Sequence, residues 1–153
     1  MADGQTSTQG RRTGGCLCGA VRFSAVPRLD TLGACHCGTC RRWSAGPFMC
    51  VECEGEVVFA DTAALGVYRS SEWAERGFCT RCGTSLFYRL VDKPYYAVSA
   101  EAFDDRDGFV FTTQVFVDEK PGYYAFANRT KDMTGAEVFA AVAAAGQDDG
   151  GKA

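Results

Sequence analysis

Cysteine placement constrains this chain more than any other feature. Seven of its nine cysteines fall in three tight clusters: Cys16-Leu17-Cys18, Cys35-His36-Cys37-Gly38-Thr39-Cys40 and Cys79-Thr80-Arg81-Cys82. Thiolates one or two residues apart can reach one ion without straining the backbone, and zinc takes four soft ligands in a tetrahedron. Two pairs therefore make one closed site, and a triplet makes a three-ligand site with one position left open. Cys79-Thr80-Arg81-Cys82-Gly83 has the form of a zinc knuckle, whose glycine lets the chain turn so that backbone N–H groups face sulfur. If the triplet acts as a unit, Cys16 and Cys18 are the tight pair left to complete it. The expectation is two zinc ions per chain: a structural one on Cys16, Cys18, Cys79 and Cys82, and a reactive one on Cys35, Cys37 and Cys40.

The competing reading has all seven cysteines stapling the fold, with His36, the only histidine, as fourth ligand to the triplet. Against it, the ring lies between two ligands in a tight turn, where it strains to reach the ion that both neighbours reach. Cys37-Gly38-Thr39-Cys40 alone resembles a thioredoxin-like redox motif, but that needs a βαβ context and leaves Cys35 unexplained. Cys50 and Cys53 form a fourth pair, half a zinc site at most. They read as ordinary strand residues, with a redox pair or a supplementary metal site as the alternative.

At 153 residues and 16.5 kDa the chain is expected to form one domain, residues 14–146, large enough for a real core. Residues 1–13 and 147–153 read as disordered polar tails. The formal charge of −3 becomes about −6 once seven thiolates and two zinc ions are counted. No basic face suited to nucleic acid stands out, since Arg11-Arg12 and Arg41-Arg42 are short solvated pairs. Met1 to Gly10 lacks the apolar stretch of a secretion signal, and no run approaches the roughly 18 apolar residues of a membrane span. A cytoplasmic location, where clustered thiols favour metal over disulfides, is the expectation. Oligomeric state is not legible.

Short stretches rich in β-branched and aromatic residues dominate: 20–26, 48–51, 56–59, 67–69, 85–90, 95–99 and 113–117. Gly, Pro and Asp punctuate them, as in an all-β domain of small antiparallel sheets pinned by metal. One helix is expected, opened by the capping box Thr134-Gly135-Ala136-Glu137, continued by Val138, Phe139 and Val142, and stopped at Gly146. A short helix or turn is expected after Cys40, through Trp43. Phe116, Tyr123, Tyr124 and Phe126 read as core.

The segments 14–23, 35–48 and 76–86, each carrying one cysteine cluster, resemble the glutathione-dependent formaldehyde-activating enzyme family, which includes centromere protein V. The resemblance runs from about Gly14 to Tyr124, with motifs in the same order and spacing. It implies a mainly β, tent-like zinc fold with structural and reactive zincs on the cysteines assigned above. It also implies a carbon–sulfur lyase-type enzyme that joins glutathione, or a similar small thiol, to formaldehyde, giving S-hydroxymethylglutathione. Arg41, Arg42 and Arg76 are candidates for the tripeptide's carboxylates by position. Ala100 to Asp105 stands where members often carry a glycine-bearing turn ending in a leucine–aspartate pair. Gln114 stands where they often carry a histidine, and Tyr123 or Tyr124 where they carry a tryptophan. A thiol carrier without catalysis and a structural zinc protein docking to a partner are the alternatives.

Overall fold

The computed structural model describes residues 10–152. In chain order the elements are β1 (Arg12–Gly15), β2 (Arg22–Pro27), β3 (Thr31–Cys35), α1 (Gly38–Ser44), β4 (Phe48–Phe59), β5 (Leu65–Arg69), β6 (Ala74–Cys79), β7 (Ser85–Leu90), β8 (Tyr95–Ser99), β9 (Val110–Val115), β10 (Lys131–Met133) and α2 (Gly135–Lys152). The chain is mainly β, as expected. It divides into two compact units, one running up to Leu32 and from Met49 to Val110, the other from Gly33 to Phe48 and from Phe111 onward.

In the first unit the strand order is β1-β2-β4-β8-β7-β6-β5, every neighbour antiparallel. Its core is apolar: Val21, Phe23, Val51, Leu86, Phe87, Val98 and Phe103, with Cys16 and Cys79 buried among them. Phe87 is the hub, its ring 5.6 Å from Phe59 and 5.1 Å from Tyr96. Gly77 makes room for it, because a Cβ there would sit 2.1 Å from the ring. Such interlocked aromatics contribute beyond their buried area, by about 0.5–1.5 kcal/mol per pair.

The second unit carries β9 between β3 and β10, with β10 parallel to it. Helix α2 opens on a reciprocal capping box. The Thr134 hydroxyl accepts the Glu137 N–H at 3.2 Å, and the Glu137 carboxylate accepts the Thr134 N–H at 2.7 Å. The helix does not stop at Gly146 but continues to Lys152. A single glycine costs a helix about 1 kcal/mol relative to alanine, too little to end it by itself. Helix α1 is ended by Ala45 at φ 61°, a left-handed position normally left to glycine.

Several expectations need correction. The two strands read at 48–51 and 56–59 are one strand, β4: β8 pairs with its first part, and β2 pairs with it on both sides of Gly55. Gly55, at φ +65°, takes up a bulge rather than making a turn. The strand placed at 113–117 ends at Val115, and Phe116 turns left-handed at φ 56°. Strands β1, β3, β6 and β10 were not expected. Of the stretches read as tails, residues 1–9 and Ala153 lie outside the described residues, while Arg12 and Thr13 pair with Ala25 and Ser24.

Candidate functional site

Two hairpins build the first cysteine cluster. Strands β1 and β2 close on the turn that carries Cys16 and Cys18, and β6 and β7 close on the turn that carries Cys82, directly after Cys79. Gly83, at φ +80°, makes the second turn, its N–H bonded to the Cys79 carbonyl at 2.9 Å. Thr84 joins the hairpins: its hydroxyl accepts the Leu17 N–H at 3.0 Å and lies 3.1 Å from the Cys82 sulfur. The four sulfurs lie within 4.8 Å of one another, with Cys16–Cys18 at 3.7 Å and Cys18–Cys79 at 3.8 Å.

Those spacings discriminate between chemistries. A disulfide needs about 2.05 Å. A tetrahedron with zinc–sulfur bonds of about 2.3 Å has an edge of about 3.8 Å. Backbone N–H groups already face the sulfurs, from Val21 to Cys16 at 3.2 Å and from Arg81 to Cys79 at 3.3 Å. Hydrogen bonds from the Thr84 hydroxyl and backbone hold Cys82 down to about 5. The Ala20 N–H favours the Cys18 thiolate, but desolvation and the crowding thiols outweigh it and push Cys18 up to about 11. Four such sulfurs ionise together only around a cation, so the donor set fits a divalent soft metal.

The second cluster sits where a strand becomes a helix. Cys35 ends β3, Cys37 caps α1 and accepts the Cys40 N–H at 3.4 Å, and Cys40 is buried in the first turn. The three sulfurs lie within 4.8 Å of one another. The Cys37 and Cys40 thiols, followed by burial, push the Cys35 thiol far up. Three soft donors fit zinc with one position to spare.

His36 does not supply a fourth ligand. Its ring is fully buried, with Nδ1 2.8 Å from the Tyr124 hydroxyl and Nε2 2.8 Å from Gln114 Oε1. Both nitrogens are engaged, which speaks against the ring as fourth ligand to the triplet. Cys50 and Cys53 do not pair either. They lie three residues apart in one strand, so their side chains leave by opposite faces. Burial pushes the Cys53 thiol up to about 12, and it rests 3.7 Å from the Val51 carbonyl.

The candidate arginines separate. Arg76 is buried in the first unit, bonded through Nε to Ser70 Oγ at 3.1 Å and lying over the Tyr88 ring. Arg41 donates from Nε to the His36 carbonyl at 2.9 Å, bracing the triplet loop, and Arg42 beside it is exposed. Tyr123 is not core: it is 82% exposed, whereas Phe116, Tyr124 and Phe126 are half-buried. Sequence reading did not foresee the cleft of about 500 Å³ in the first unit, lined by Cys16, Arg22, Thr84, Asp104 and Arg106 among others. The unfamiliar stretch 100–105 forms part of its wall, and Arg22 pairs there with Asp104.

Comparison with known proteins places the chain in a family. An uncharacterized lyase of Schizosaccharomyces pombe is 38% identical over 84% of this chain and 95% of its own length. A Halomonas elongata protein carrying the formaldehyde-activating name is 31% identical over 48% of this chain and 53% of its own. The crystal structure of a Rhodobacter sphaeroides protein shares the fold, with a TM-score of 0.53 and 22% identity over 65% of this chain and 99% of that one. The pattern of the glutathione-dependent formaldehyde-activating enzymes matches residues 11–119, and the chain belongs to that family.

Proposed function

We propose that the protein is a zinc-dependent carbon–sulfur lyase-type enzyme that joins glutathione, or a similar small thiol, to formaldehyde. The observation that carries this reading is the triplet: three sulfurs converge while the one nearby imidazole is committed elsewhere. Cys16, Cys18, Cys79 and Cys82 would hold a structural zinc, and Cys35, Cys37 and Cys40 a reactive one. Held by Cys35, Cys37 and Cys40, a zinc ion would lower the pKa of an incoming thiol and so would supply a nucleophile near neutral pH. The reaction is balanced without a redox partner. A sulfur–carbon bond forms, the carbonyl π bond breaks, and the thiol proton ends on the former carbonyl oxygen.

The chain's own residues would orient and hold. Helix α1 and β3 set the three sulfurs, and Arg41 braces the loop between them through the His36 carbonyl. Exposed Arg42, two residues beyond Cys40, is the cation offered to a substrate carboxylate. Names carried by relatives support the reaction class. Among the described residues no helix is long and apolar enough to cross a membrane, and a cytoplasmic location belongs to the same proposal.

The test is the visible spectrum of the cobalt-substituted protein, titrated with glutathione and then formaldehyde. The expected result is a saturable change with thiol and a second change with aldehyde, alongside faster adduct formation. A thiol response without rate enhancement would identify a carrier. No response to any thiol would overturn the open-site reading.

A further inference from the structure

Among the described residues three polar or charged side chains are buried, His36, Arg76 and Gln114, and two of them belong to one line of hydrogen bonds. Tyr124 Oη lies 2.8 Å from His36 Nδ1, and His36 Nε2 lies 2.8 Å from Gln114 Oε1. Gln114 Nε2 donates to Thr130 Oγ1 at 2.9 Å, and that hydroxyl donates to Asp132 Oδ1 at 2.6 Å. The carboxylate at the far end can only accept, and this gives the line its direction. Thr130 spends its proton on Asp132, so it accepts from the amide nitrogen of Gln114. The amide oxygen is then the atom facing His36, and Nε2 must carry a proton. A neutral imidazole protonated there leaves Nδ1 as the acceptor for the Tyr124 hydroxyl. All four bonds run one way, from Tyr124 to Asp132, and each polarises the next.

His36 stands between two members of the triplet. Its N–H also bonds to the Val115 carbonyl at 3.0 Å, and its own carbonyl accepts from Arg41. Backbone and ring are thus held at four atoms. A loop so held presents the Cys35 and Cys37 sulfurs in one geometry, and the metal need not order it on binding.

We propose that His36 is a positioning residue for the triplet site, locked as the Nε2–H tautomer by Gln114 and Tyr124, and that this lock sets the affinity of the site for zinc. The inference rests on the reading of Cys35, Cys37 and Cys40 as a metal site. Tyr124 acts here as a donor to the ring, not as a source of protons for substrate.

The test uses the full chain loaded with zinc. His36 is the sole histidine, so nitrogen-15 spectra show one imidazole, and its two nitrogens report the tautomer directly. The expected pattern is a protonated Nε2 and a bare Nδ1; a protonated Nδ1 overturns the proposal. Chelator competition then measures zinc at each site in Gln114→Met, Tyr124→Phe and the double variant. Each single change is expected to weaken the triplet site about 10–100-fold and to leave the four-cysteine site untouched. Because both act through one ring, the double variant should lose less than the product of the two. Singles within about twofold of the parent, or fully multiplicative losses, overturn it. A parent chain that binds only one zinc would instead sink the metal reading beneath it, an outcome separate from insensitivity of the variants.

Discussion

Replacing Cys79 by serine tests the division of labour between the two clusters most directly. Structural zinc contributes about 10–16 kcal/mol of apparent binding free energy to small metal-folded domains. Shared over four sulfurs, one ligand accounts for about 2.5–4 kcal/mol of that. Cys79 is fully buried, and its sulfur faces the N–H groups of Arg81 at 3.3 Å and Cys82 at 3.5 Å. A serine oxygen sits on a shorter bond and stays protonated, leaving those donors poorly matched at a further cost of about 1–3 kcal/mol. The total, about 3.5–7 kcal/mol, is comparable with the whole net stability of an ordinary domain, about 5–15 kcal/mol. Cys79→Ser should therefore hold its structural zinc far more weakly and melt roughly 10 °C or more lower, or fail to fold. Cys40→Ser removes a ligand from the other unit and should leave a folded chain with one zinc instead of two. Metal analysis and thermal denaturation of both variants decide the matter. If Cys40→Ser melts as low as Cys79→Ser, or Cys79→Ser keeps two zincs at the parent's melting point, the assignment of a structural and a reactive site is wrong.

Three smaller perturbations probe the scaffold. Gly77→Ala would drive a Cβ to 2.1 Å from the Phe87 ring, which Phe59 and Tyr96 hem in. It should cost about 1–3 kcal/mol in urea denaturation, and a loss below about 0.5 kcal/mol would mean the ring has room to move. Ala45→Gly should raise stability by roughly 0.5–1 kcal/mol by relieving the left-handed residue that ends α1, and no gain would show that the helix end carries no strain. Arg22, with help from Thr13, holds the Asp104 carboxyl down to about 2 from 3.8. Its folded value lies below the unfolded one, so its stabilisation is present above about pH 4 and fades as the pH falls towards 2. The stability gap between the parent and Asp104→Asn should narrow over that window and shrink with added salt; an equal gap at pH 2 and pH 5 would refute the pairing.

What could be read in advance follows from the range of the interaction concerned. Metal pairs are legible because their ligands lie within three residues of each other, and the capping box at Thr134 and Glu137 is equally local. The strands Ser85–Leu90 and Tyr95–Ser99 announce themselves by aromatic and branched residues and appear with those bounds. Ala74–Cys79 and Thr31–Cys35 do not. Ala-Glu-Arg-Gly-Phe-Cys has little strand preference of its own, and it becomes a strand because β5 and β7 offer it ladders on both edges. Strand β4 shows the opposite error: Glu54-Gly55 looks like a turn, yet β2 pairs with β4 both before and after Gly55 and carries the strand through it as a bulge. In each case local preference of a few tenths of a kcal/mol per residue yields to tertiary context.

His36 marks where sequence reasoning about the site reached its limit, and why. Tight spacing argued against the ring as a ligand on reach alone. In an extended segment successive side chains leave by opposite faces, so Cys35 and Cys37 share one side and His36 takes the other. That alternation was available from spacing. The partners that receive the ring were not, since Gln114 is 78 residues away and Tyr124 is 88. The alternation is also what supports the proposal of an open triplet. A ring turned away from its flanking sulfurs would not close a metal site there, while its buried hydrogen bonds hold the backbone between those sulfurs. On the proposed reading of the triplet, the same residue would leave a position free for a thiol and keep the three ligands in register.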